Sequence, residues 1–81
     1  MAAKVLNGEV TGGDTVAYAV RDGNLAVMRI GRVVRFSERR AFGHSIPVMH
    51  IRIITGSDFG TPVSGAVVRV EHFERIVKLS S

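Results

Sequence analysis

Apolar residues occupy every second position in two separated runs of this chain, and that period of two constrains its fold more than any other feature. In "TVAYAVR" (15–21), Val16, Tyr18 and Val20 share one side while Ala17 and Ala19 share the other. In "IPVMHIRIIT" (46–55), Met49, Ile51 and Ile53 alternate with His50 and Arg52. Alternation of this kind puts one set of side chains on each face of a strand. Pro47 suits the start of the second run, where a missing N–H does least harm. "DGN" (22–24) ends the first run in a tight turn. "AVVRVE" (66–71) and "IVKL" (76–79) read as two further strands, joined by one tight turn at "HFER" (72–75). "NGEVTGGD" (7–14) reads as a bend ahead of the first regular element, and "RRAFGHS" (39–45) and "GSDFGTPVSG" (56–65) as flexible connections.

Residues 28–39 fit two templates. As a helix, Val27, Ile30, Val34 and Ala41 share a face and leave a basic stripe. As a strand, Met28, Ile30, Val34 and Phe36 form the inward phase, interrupted by Arg32 and Glu38; Arg29, Gly31, Val33, Arg35, Ser37 and Arg39 form the outward one. The paired valines, Phe36 and a mid-segment glycine, which costs a helix about 1 kcal/mol, favour the strand. Arg32 in the apolar phase then marks Gly31 as a bulge or sharp bend. The expectation is an all-β chain with five strands and no helix of ten residues or more.

Eighty-one residues make a single domain, 1–81. A chain of this size buries only roughly 60% of its unfolded surface, and with no cysteine it has neither disulfides nor thiolate–metal clips to reinforce the core. Five short strands with so thin a core call for closure, because an open sheet leaves reactive edges. In strand order, and in "VVRVEHFERIVKL" (67–79), where a strand, one turn and a short final strand follow each other, the chain resembles the SH3-like small β-barrel family. "GGDTVAYAV" (12–20) also resembles that family's entry into its first strand after a Gly–Asp turn. The resemblance implies a small five-stranded SH3-like barrel over 12–79, with a 3₁₀ turn before the last strand and residues 1–11 as a flexible N-terminal lead. An OB-like barrel is the alternative fold, less suited because it usually carries a helix before its fourth strand. The chain also resembles small accessory proteins of actinobacterial phages in general character. Such a barrel hosts many functions, so the resemblance alone implies no activity.

No catalytic pattern stands out. His44, His50 and His72 match no zinc spacing and have no thiol to join them. "DFG" (58–60) lacks the other kinase motifs and reads as a turn. Gly8, Gly12 and Gly13 lack the Lys and Ser/Thr of a phosphate loop. The reading is a non-enzymatic protein with no cofactor and no metal. The start "MAAKVLNGEV" holds no apolar stretch of secretory type, and no run reaches the roughly 18 apolar residues of a membrane span. A cytoplasmic location and no membrane partner are therefore expected.

Binding remains, and charge directs it. Net charge is +4, and residues 21–52 hold seven arginines against Asp22 and Glu38, so the middle of the chain carries the whole excess. "RVVRFSERR" (32–40) alone has four arginines. Guanidinium groups offer paired donors to phosphate and carboxylate. On a strand, Arg29, Arg35 and Arg39 would project away from the core beside Arg52 and His50 of the neighbouring strand, with Arg40 at the patch's edge. Nucleic acid, held through Arg29, Arg35, Arg39, Arg40 and Arg52, is the leading expected partner. The plainer alternative is that the arginine stems cover apolar surface while their heads stay wet. The other functional reading is an adaptor that engages an acidic or host protein through the loops at 40–46 and 56–65. There Phe42 and Phe59 are apolar residues in polar surroundings, either interface anchors or plugs folded back onto the core. Self-association through an exposed edge strand is also open.

Overall fold

A computed structural model describes all 81 residues. The chain is all-β apart from one 3₁₀ turn. Nine strands follow in order: β1 (Ala3–Val5), β2 (Gly8–Val10), β3 (Thr15–Asp22), β4 (Leu25–Ala41), β5 (His44–Thr55), β6 (Ser57–Asp58), β7 (Thr61–Pro62), β8 (Val67–Val70) and β9 (Val77–Ser80), with the 3₁₀ turn Phe73–Arg75 before the last. Five of them form one antiparallel sheet in the order β8-β5-β4-β3-β9; β1-β2 and β6-β7 are separate hairpins. No helix is long and apolar enough to cross a membrane.

The alternation at 15–21 and 46–55 sets the core. Val16, Tyr18, Met49, Ile51 and Ile53 are all buried, joined by Val33 of β4 and by Ile76 beside the 3₁₀ turn. Phe36 packs against this cluster and meets Phe73 edge-on, with ring centroids 6.4 Å apart. Residues 1–11, expected as a lead ahead of the barrel, instead form the β1–β2 hairpin, whose Ala3, Val5 and Val10 are part of the core. Leu6 N–H donates to Ile76 O (2.9 Å). Asn7 and Lys78 exchange two bonds, Asn7 Nδ2 to Lys78 O at 3.0 Å and Lys78 N to Asn7 Oδ1 at 2.7 Å.

β4 is the long element, 17 residues that pair with β3 through Leu25–Arg32 and with β5 through Ile30–Ala41. Two register shifts mark the stretch where it serves both neighbours. Ile30 opposes Thr55 and Gly31 opposes Ile53, so Ile54 is the extra residue on β5; Val33 opposes Ile51 and Arg35 opposes His50, so Val34 is the extra residue on β4. Both extra residues are exposed. An extra residue in a strand reverses the face of everything after it, and this corrects the expected phase. Before Val34 the inward set is Val27, Arg29, Gly31 and Val33, opposite Val20, Tyr18 and Val16 of β3 and Ile51 of β5. After it, Phe36 faces in as expected. Met28 and Val34, expected inside, are exposed.

The two connections are tighter than their composition suggests. Ala41 pairs with His44, leaving Phe42-Gly43 as a two-residue turn with φ of 52° and 78°. Asp58 pairs with Thr61 around Phe59-Gly60, at 51° and 80°. Positive φ at both central residues is the type I′ hairpin turn, which suits the strands' right-handed twist. Ser57 Oγ and Gly60 N–H donate to Asp22 Oδ2, tying the second hairpin back to β3.

Candidate binding face

The outer side of β4, β5 and β8 carries charge in rows. Arg32 opposes Arg52. One step along, Arg35 of β4, His50 of β5 and Arg69 of β8 stand directly opposite one another. Side chains opposite each other in neighbouring strands lie about 5 Å apart, and like charges placed so repel. Arg32, Arg35 and Arg69 have no carboxylate partner. Arg52 donates only to Gly65 O, at 3.3 Å.

His50 lies beneath this row with 5% of its surface exposed. Its Nε2 and Ser37 Oγ share a hydrogen bond of 2.6 Å. Burial, and then the fields of Arg35 and Arg69, lower its pKa below the ordinary 6.5, so the ring is uncharged at neutral pH. It makes no hydrogen bond to a carboxylate, so the Ser37–His50 pair lacks the third group that orients a catalytic base. Farther along, Arg39 forms a two-point ion pair with Glu71, Nη2 to Oε1 at 2.7 Å and Nε to Oε2 at 3.0 Å. Those hydrogen bonds pull the Glu71 carboxyl below its usual range and push Arg39 upward. These residues enclose a shallow depression of about 380 Å³ on the outer face.

The arginines singled out in the sequence therefore divide. Arg35, Arg39 and Arg52 share the outer face. Arg40, one residue after Arg39, points to the opposite side of the β4–β5 ribbon, where it opposes Ser45. Arg29, expected on this face, opposes Tyr18 on the inner side, and only 13% of its side chain is exposed. Its Nε and Nη2 donate to Ser57 O at 3.2 and 3.0 Å, and Nη2 lies 3.8 Å from Asp58. The parity change at Val34 is the reason for this correction. Arg32 and Arg69 are the outer-face residues that sequence reasoning left out. Alternation in "AVVRVE" assigns Arg69 to a face, but only the register of β8 on β5 sets it opposite His50.

Phe42 is fully exposed and Phe59 is 78% exposed, so neither folds back as a plug. No group of three or more His, Asp or Glu side chains could hold a metal. What the face offers chemically is a set of exposed guanidinium groups around a buried, neutral imidazole, an arrangement suited to oxyanions. No family model, curated protein or solved structure matches this chain.

Proposed function

We propose that the protein is a non-enzymatic module that associates with nucleic acid through the outer face of β4, β5 and β8, holding phosphates without strong sequence selection. The observation that carries this reading is the row Arg35–His50–Arg69 beside the pair Arg32–Arg52, four guanidinium groups set together with no carboxylate among their partners. Their mutual repulsion is relieved when phosphates settle among them, and each phosphate neutralised releases counterions. The strand order, with a 3₁₀ turn before the last strand, supports reading the sheet as an SH3-like barrel that stays open between β8 and β3. β4 pairs with both β3 and β5, with two register shifts at or beside the stretch where the pairings overlap, and the chain after the 3₁₀ turn lays β9 on β3.

Fluorescence anisotropy of short duplex DNA and single-stranded RNA across a salt series tests this. Binding through about four phosphates gives a log–log salt slope of roughly −3.6 on duplex DNA. The double variant Arg35→Glu, Arg52→Glu abolishes it. No binding at low salt, or binding that survives this variant, overturns the proposal.

One observation favours a second reading, an adaptor that engages a protein partner through its hairpin tips. Phe42 and Phe59 are exposed at positive φ, where Asn or Gly sits with less strain. A pull-down lost on Phe42→Ala, by a protein that shifts no nucleic acid at low salt, supports that reading over the first.

A further inference from the structure

Several strand edges of the five-stranded sheet have no strand partner, and two of them border one cleft. β8 pairs only with β5, so the other side of Val67–Val70 is open. β3 pairs with β4 along its whole length but with β9 only as far as Ala17, so Tyr18–Asp22 is open on that side. A cleft of about 540 Å³ is lined by residues 18–21 of β3 and by the chain from Val68 to His72. An open strand edge presents unpaired N–H and C=O groups, a template for another strand.

The lining says what kind of strand would fit. Val20, Val68 and Val70 give it an apolar wall. Arg21, Arg29, Arg69 and Arg75 surround them, and the single carboxylate, Glu71, is already held by Arg39. Tyr18 also lines the cleft; its Oη is buried and makes no hydrogen bond. Burial raises the hydroxyl's pKa, and the neighbouring Arg29 only partly offsets this. A buried donor without an acceptor costs about 1–3 kcal/mol, and a carboxylate brought into the cleft could accept from it.

We propose that this cleft takes an extended acidic segment of another protein as an added strand. Its main chain pairs with the open edge of β8, its apolar side chains rest on Val20 and Val70, and its carboxylates meet Arg21 and Arg75. A second copy of this chain fits poorly, because edge-to-edge pairing would set arginine against arginine. A nucleic-acid strand has no peptide groups to offer an open sheet edge. The proposal does not rest on the nucleic-acid reading, although Arg69 borders both the cleft and the outer face.

The test uses the full chain and two fluorescein-labelled peptides, Val-Glu-Val-Glu-Val-Glu and its Lys counterpart. Anisotropy is expected to show saturable binding of the Glu peptide at least about tenfold tighter than the Lys peptide. The double variant Arg21→Glu, Arg75→Glu weakens it by about tenfold or more. Amide exchange is expected to slow at Ala19, Arg21 and Val67–Val70. The variant Arg35→Glu, Arg52→Glu, which removes the nucleic-acid face, keeps peptide binding. Equal affinity for both peptides, no saturable binding, or protection confined to other strands overturns the proposal, and the peptide comparison needs no variant to fold.

Discussion

Replacing Gly31 with alanine is expected to cost this protein a large part of its stability. Gly31 sits at the first register shift of β4, where β5 comes close enough that an added Cβ would overlap Ile51 Cγ2 and lie 2.6 Å from Arg52 O. Neither neighbour can yield easily. Ile51 is completely buried, and the Arg52 main chain is fixed by its pairing with Arg32. The φ of Gly31 is not positive, so the penalty is steric rather than conformational. Overpacking by one methyl typically costs about 1–3 kcal/mol, and an obstruction that is partly main chain belongs at the upper end. A chain of this length has roughly 4–12 kcal/mol in all. At about 4–8 °C per kcal/mol, the Gly31→Ala protein should melt roughly 12–24 °C below the parent. Gly12→Ala is the control. The nearest atom to its added Cβ is Val34 O at 4.0 Å, and its φ is not positive either. It should be neutral or stabilising by about 0.4–1 kcal/mol, through the unfolded chain. Melting followed by circular dichroism reads both. A Gly31→Ala protein within about 2 °C of the parent would refute the close approach of β5 to β4.

His50 makes stability depend on pH. Its folded pKa lies below the ordinary 6.5, so the unfolded chain takes up a proton that the folded one resists. Stability is full above that value and falls as pH drops through it toward the lower folded pKa; urea titrations of the parent and of His50→Gln should diverge there. Phosphates docked on Arg35 and Arg69 would remove part of the field that opposes that proton, so affinity for DNA should rise as pH falls below about 6.5, an increase that His50→Gln abolishes. Phe42→Asn places at positive φ a residue that the type I′ turn prefers, and a stability gain of about 0.5–1 kcal/mol is expected by thermal melting.

Local alternation and turn residues carried most of the fold into the sequence. Strands read at 15–21, 46–55, 66–71 and 76–79, with a tight turn before the last, coincide with β3, β5, β8 and β9 to within two residues at each end. Parity in β4 was not legible. A single inserted residue at Val34 reverses which side faces in, and where a bulge falls depends on the partner strand rather than on the residues themselves. Arg29 was misassigned for this reason, and Val33 was taken for a surface residue. β1 and β2 were hidden because strands of three residues cannot establish a period, and "NGEVTGGD" reads as turn throughout. Of the candidate face, Arg35, Arg39 and Arg52 could be grouped from the sequence, since two adjacent strands suffice. Arg69 could not, because β8 reaches β5 across the β6–β7 excursion, whose length the sequence does not convert into register. The hairpin tips were misread because Phe-Gly is an unusual occupant of a turn that Asn-Gly normally signals.

The bonds between Asn7 and Lys78 join residues 71 positions apart. Closing a loop of that length from the open chain costs about 4 kcal/mol of entropy, while each hydrogen bond returns only about 0.5–1.5 kcal/mol. This clasp therefore cannot nucleate anything. It can form only after the central meander has brought β3 and β9 together, so the β1–β2 hairpin is among the last elements to find its place. Ala3, Val5 and Val10 share their buried cluster with Ile76, so until that closure their apolar surface stays open to other chains.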